Sequence, residues 1–165
     1  MAGHATLPHH GQVPSGRQRG VDISRIVVGV DGSDHSMAAL RWACTEARLR
    51  GDSLELVAAW SIPSAAMTVA SADVVDAMEA AANQTIDSAQ AEVASSYPDL
   101  EVLAGIFNGQ PARILVERAH GADLLVVGSR GLGDFKALLL GSVSQECSQH
   151  SPIPVVIVRT EAPPD

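Results

Sequence analysis

Short apolar runs alternate with stretches of helical period along most of the chain. The run at 25–31 (RIVVGVD) is rich in β-branched residues and reads as a first strand. Met37, Leu40, Ala43, Cys44, Ala47 and Leu49 then recur at helical spacing across 34–50, and Gly51 ends that helix. A second strand is expected at 53–60. A long helix follows at 71–96, with Val75, Met78, Ala82, Ile86, Ala89 and Val93 down one face and Tyr97-Pro98 closing it. Further on, the pattern predicts a strand at 100–107 and a helix at 111–120, opened by Pro111 and stopped by Gly121. A strand at 123–128, a short helix at 142–150 and a last strand at 154–159 complete the set.

The first, fourth and fifth strands are apolar throughout rather than alternating, which marks strands covered on both faces, as in a parallel sheet. Strands alternating with helices in this way predict an α/β doubly wound sandwich: one five-stranded parallel sheet with helices on both faces. Right-handed crossovers favour the order 3-2-1-4-5. The winding then reverses between strands one and four, and ligands bind at the carboxyl ends of strands at such a point. Asp31 ends the first strand and Gly128 the fourth, so both are expected at one crevice.

The chemistry-bearing residues gather there. Val127-Gly128-Ser129-Arg130-Gly131 is followed, after nine residues, by Gly141-Ser142-Val143-Ser144. Gly128 turns the chain off the sheet, and Gly131 and Gly141 allow close approach of a ligand. Ser142 and Gln145 fit a capping box, so a helix is expected to start at Ser142. Its free amides, from Val143 and Ser144 onward, suit phosphate oxygens. Arg130 adds a charge-assisted contact or is solvated. The alternative is a glycine-rich connection that only turns and a cap that only caps. Val30-Asp31-Gly32-Ser33-Asp34 follows the first strand: Asp31 can accept from an adenine amino group or a ribose hydroxyl, and Ser33 or Asp34 can cap the next helix.

Several enzyme classes lack their essential groups. No Gly-Lys-Ser/Thr triplet exists, and Gly128-x-x-Gly131-x-Gly133 has the wrong gaps and the wrong strand for a dinucleotide fingerprint. A haloacid-dehalogenase-type phosphatase needs a second Asp where Ser33 stands, and a receiver domain needs a lysine after a late strand, whereas Lys136 lies in another loop. His35 reads as a helix-surface histidine, His120 and His150 as helix C-terminal residues, and Glu46 and Glu55 as solvated. No catalytic constellation emerges.

Charge and composition narrow the partners. A formal charge of −8 and a single lysine argue against nucleic acid or an anionic membrane surface. Cys44 and Cys147 form no metal pattern and read as small buried hydrophobes. No membrane span or signal core is evident, so a cytoplasmic protein is expected. Residues 1–20, with His4, His9 and His10, read as a disordered tail. The domain is expected over 21–160, with a frayed end at 161–165.

Val28-Gly29-Val30-Asp31-Gly32-Ser33, Ala122 through Gly131, and Leu140-Gly141-Ser142-Val143-Ser144 before Pro154-Val155-Val156-Ile157-Val158 resemble the universal stress protein (UspA-like) family. The resemblance covers about residues 24–160, and the spacing Gly-x2-Gly-x9-Gly-Ser is the pattern of its ATP-binding branch. It implies that Asp31 contacts adenosine and Ala59 lines the adenine pocket. It further implies that Gly128, Gly131, Gly141, Ser142 and Val143 wrap ribose and phosphates. Many members carry a histidine where this chain has Ala58. The implied function is a nucleotide-dependent stress-response regulator that holds ATP, ADP or AMP with Mg2+ and hydrolyses it slowly at most. The alternatives are a slow Mg-dependent ATPase or phosphotransferase, and a dimerisation module that binds cyclic AMP or no nucleotide. The family dimerises through its last strand. Independently, Val155, Val156, Ile157 and Val158 make an edge strand without charged gatekeepers, which favours a homodimer.

Overall fold

A computed structural model describes residues 24–62, 71–132 and 140–160. The expected tail, the last five residues and Lys136 lie outside the described residues. Strands β1 (Arg25–Gly29), β2 (Ser53–Trp60), β3 (Val102–Asn108), β4 (Leu124–Gly128) and β5 (Val155–Val158) form one parallel sheet. Its order is β3-β2-β1-β4-β5, as expected. Helices α1 (Asp34–Arg50), α2 (Ala72–Ser96), α3 (Pro111–Ala119) and α4 (Ser142–His150) fill the crossovers.

The two-residue period of the strands divides the core into two layers. Ile26, Val28, Leu54, Leu56 and Val126 meet Leu40 and Ala43 of α1 and Ile86 and Val93 of α2. On the other face Val27, Val57, Leu125 and Val127 meet Ala112, Leu115 and Ala119 of α3 and Cys147 of α4. Each fully buried aliphatic side chain contributes about 1.5–3 kcal/mol relative to exposure, so both faces of the central strands anchor the fold. Cys44 and Cys147 sit inside these layers, and burial pushes both thiols up to about 11. They pack as small hydrophobes. No helix among the described residues is long and apolar enough to cross a membrane.

Three expectations fail for identifiable reasons. The first strand stops short of its apolar run: β1 ends at Gly29, although the Val30 amide still donates to the Val57 carbonyl at 2.9 Å. Asp31 then leaves the sheet, because its carboxylate is drawn into side-chain bonding. Leu49 is 75% exposed, since it stands two residues, about 200°, round α1 from buried Ala47. Glu55 is not solvated. It is buried in β2, and its carboxylate holds Arg25 Nη1 at 3.1 Å and Arg118 Nη2 at 2.5 Å. Arg25 Nη2 also donates to the carbonyls of Arg118 and His120, and Arg118 stacks on Phe107 at 5.2 Å. This cluster pins the end of α3 to the sheet. Glu46, by contrast, pairs with Arg50 one helical turn on, at 2.6 Å.

Asp52 makes a different kind of burial. One carboxylate oxygen is enclosed with no hydrogen-bond partner, and desolvation holds the group above the usual carboxylate range despite the opposing Arg50. Asp123 and Glu46 push in the same upward direction as burial. A folded-state value raised above the unfolded one stabilises the protein only at low pH, and that contribution is lost as pH rises through the folded value. Charged Asp52 therefore costs stability at neutral pH. Asp52→Asn is expected to raise the melting temperature by a few degrees at pH 7, with the gain vanishing below about pH 4. Thermal melts across that range check the sign. An equal shift at all pH values would place the effect in packing instead.

Candidate functional site

The reversal of winding between β1 and β4 opens a cleft at the carboxyl edge of the sheet. It has a volume of about 460 Å3, within the range of small-ligand sites. Its floor is apolar: Val30, Val57, Ala59 and Val127 from the strands, Pro111 and Leu115 from α3. Pro111 and Leu115 were not anticipated. The topology itself holds the signal, because a helix that follows a parallel strand begins at the carboxyl edge.

The Asp31 carboxylate stands at the mouth. Asp31 Oδ1 accepts from Ser33 N–H at 3.0 Å and Ser33 Oγ at 2.6 Å, while Oδ2 accepts from the Leu132 amide at 3.2 Å. Ser33 also caps α1, its hydroxyl accepting from Ser36 N–H, so Ser33 and not Asp34 is the cap. Ser33 thus orients Asp31 and does not line the cleft, whereas Ser36, which receives the Asp31 amide at 3.3 Å, does. The Gly131 backbone lies against this carboxylate so closely that an added Cβ would collide with Asp31 Oδ2. Gly128 is needed for another reason: a Cβ there would sit 2.7 Å from the His35 carbonyl carbon, where α1 backs onto the end of β4.

The opposite wall is the start of α4. Gly141 is its N-cap residue, in extended backbone with no side-chain cap, and Ser142 is the first helical residue. The expected capping box is absent. Ser144 instead turns its hydroxyl inward, donating to the Ser129 carbonyl at 3.0 Å and the Gly141 carbonyl at 2.9 Å. The Gly141 amide donates to the same Ser129 carbonyl at 2.7 Å, which ties the two ends of the glycine loop together. Ser142, Val143 and Ser144 line the cleft with Gly141, Gly131, Gly128 and Arg130. An uncapped helix start beside an arginine carries positive potential, suited to an anion. Of the residues singled out by sequence, the cleft brings together all but Ser33.

His35 is not simply a surface residue: it is half-buried, with Nδ1 2.9 Å from Thr160 Oγ1. His120 caps the end of α3, and His150 closes α4 with Nδ1 3.1 Å from the Glu146 carbonyl. Among the described residues no group of three or more His, Cys, Asp or Glu is placed to hold a metal ion.

Comparison with known proteins agrees with this fold. The model of the universal stress protein family matches residues 22–159. A universal stress protein of Mycobacterium tuberculosis strain H37Rv is 33% identical over 157 residues, covering 94% of this chain and 48% of its own length. The chain thus spans about half the length of the curated relatives it matches. Among solved structures, the UspA universal stress protein of Lactobacillus plantarum is 26% identical with a TM-score of 0.71, over 83% of this chain and 98% of that one. A universal stress protein in complex with cAMP is 33% identical with a TM-score of 0.61, over 84% and 98%. Fold and sequence likeness therefore converge, and the chain belongs to the universal stress protein family.

Proposed function

We propose that the chain is an adenine-nucleotide-binding stress-response regulator, with ATP, ADP or AMP in the cleft between β1 and β4. The observation that carries this is the pairing, across one apolar floor, of the Asp31 carboxylate with the uncapped first turn of α4. The floor at Val30, Val57 and Ala59 suits the flat face of a base, and Asp31 accepts from the adenosine. Gly128, Gly131, Gly141, Ser142, Val143 and the Ser144 amide, with Arg130, take the ribose and phosphates. Mg2+ would ride on phosphate oxygens and water, since no acidic cluster among the described residues supplies a cage. Among the described residues Asp31 is the single carboxylate lining the cleft and is already engaged, which supports hydrolysis that is slow at most. Regulation follows if the nucleotide favours one of two states of the protein.

The remaining parts of the proposal concern the whole molecule. We place residues 21–160 as the nucleotide-binding domain of a cytoplasmic protein. Val155, Val156, Ile157 and Val158 are each half-buried on the edge strand and form the seam of a homodimer. A second reading of the ligand, cyclic AMP, is favoured by the relative at 33% identity that is in complex with it.

Liquid chromatography and mass spectrometry of natively purified, then denatured, protein identifies the occupant. ATP, ADP or AMP supports the first reading and cyclic AMP the second. Asp31→Ala is expected to weaken whichever binds by about tenfold or more, the scale of a lost hydrogen bond to a charged group. Unchanged affinity in that variant would take Asp31 out of the site.

A further inference from the structure

His35 stands outside the cleft, yet it joins the parts that build it. Its Nδ1 lies 2.9 Å from Thr160 Oγ1, 3.4 Å from Ser129 Oγ and 3.5 Å from the Thr160 amide. A backbone N–H can only donate, so the nitrogen it faces accepts, and the ring proton belongs on Nε2. Thr160 follows shortly after Val158, the last residue of β5. Ser129 leads the glycine loop: its amide donates to the Val158 carbonyl at 2.7 Å, and its carbonyl receives Gly141 N–H and Ser144 Oγ. The single lone pair of Nδ1 is shared among these donors, with Thr160 Oγ1 the nearest, so the chain leaving β5 and the loop leaving β4 meet at one imidazole nitrogen.

We propose that His35 is a positioning residue for the ligand: its Nδ1 fixes Thr160 against Ser129, and Ser129 in turn sets Gly141 and the first turn of α4. The inference rests on the nucleotide reading of the cleft. It explains why a histidine in the first turn of α1, with no partner near it in sequence, is held half-buried by residues 94 and 125 positions away. It also makes the end of the edge strand and the phosphate wall mechanically continuous.

Atom-level variants test it. Asn places an acceptor oxygen where Nδ1 stands, whereas Gln carries its acceptor one bond farther. His35→Ala, His35→Gln and Thr160→Val are expected to weaken Mg-ATP or cyclic AMP binding about fivefold, the scale of one neutral hydrogen bond. His35→Asn should stay within about twofold of the unmodified protein, and His35→Ala with Thr160→Val should be no worse than either alone. In ligand-free protein, exchange of the Gly141 amide should quicken in the Ala, Gln and Val variants and not in Asn. Equal affinity and exchange across the series, or an Asn variant as weak as Ala, overturns the proposal. Because exchange is read without ligand, failure of the nucleotide reading shows separately, as a protein that binds neither nucleotide.

Discussion

Gly141→Glu is expected to leave the fold in place and to weaken adenine-nucleotide binding by at least about a hundredfold. Gly141 has φ −75°, a conformation open to any residue, so no backbone strain opposes the change. A Cβ would meet Arg130 Cα at 3.3 Å, which asks that backbone to yield by a few tenths of an ångström, and would make an ordinary contact with the Ser129 carbonyl oxygen at 3.6 Å. The carboxylate would lie at the start of α4, where the helix dipole and Arg130 favour an anion. It would take the place proposed for phosphate. Two unit charges about 4 Å apart repel by about 4 kcal/mol at an intermediate dielectric, well above the roughly 2.8 kcal/mol of a hundredfold loss. Ser142→Asp sharpens the test, because an acid in the first turn helps the helix while it repels the ligand. Circular dichroism and calorimetric titration of both variants check the pair of signs. Retained affinity with an intact spectrum would move the phosphates elsewhere.

Glu55→Ala is expected to give the largest loss of stability, about 2–3 kcal/mol. Removing one partner of a buried ion pair usually costs about 3–5 kcal/mol, because the remaining charge is stranded. Here the arginine side chains are 24% and 40% exposed and can partly rehydrate, which lowers the figure. The loss should appear as a lower urea midpoint with an unchanged slope. The slope matters, since a change there would signal an altered unfolded state. Glu55→Gln should cost less, keeping an acceptor for Arg118 Nε, which now donates to Glu55 Oε1 at 2.6 Å. A stability loss below about 0.5 kcal/mol in the Ala variant would mean that the cluster is only a surface ion pair.

These two residues show where sequence reading succeeds and where it stops. The sheet order is legible because it follows from periodicity and handedness: Val27 and Val28 are each buried, on opposite faces, as a run apolar at every position requires. The cleft is legible for the same reason, since Asp31, two residues past the end of β1, and Gly128, the last residue of β4, meet at the switch point. Glu55 is misread because its partners lie 30 and 63 residues away, and pattern alone does not reveal an arginine folded back across the sheet. A charged residue inside an otherwise apolar strand was the available warning. The capping box at Ser142 fails similarly. Local spacing permits it, but the Gly141–Ser129 hydrogen bond, a contact across the loop, moves the cap back by one residue. His35 looks solitary in sequence because Thr160 is 125 residues distant.

The central claim is that the cleft between β1 and β4 binds an adenine nucleotide. It is tested most directly by isothermal titration of the protein, freed of any copurified ligand, with Mg-ATP and with cyclic AMP in turn and in competition. The account predicts one saturable site per chain, mutual exclusion of the two ligands, and loss of both in Gly141→Glu. Absence of binding by either nucleotide to well-folded protein would contradict it, leaving the sheet and its glycine loop intact but without the ligand proposed for them.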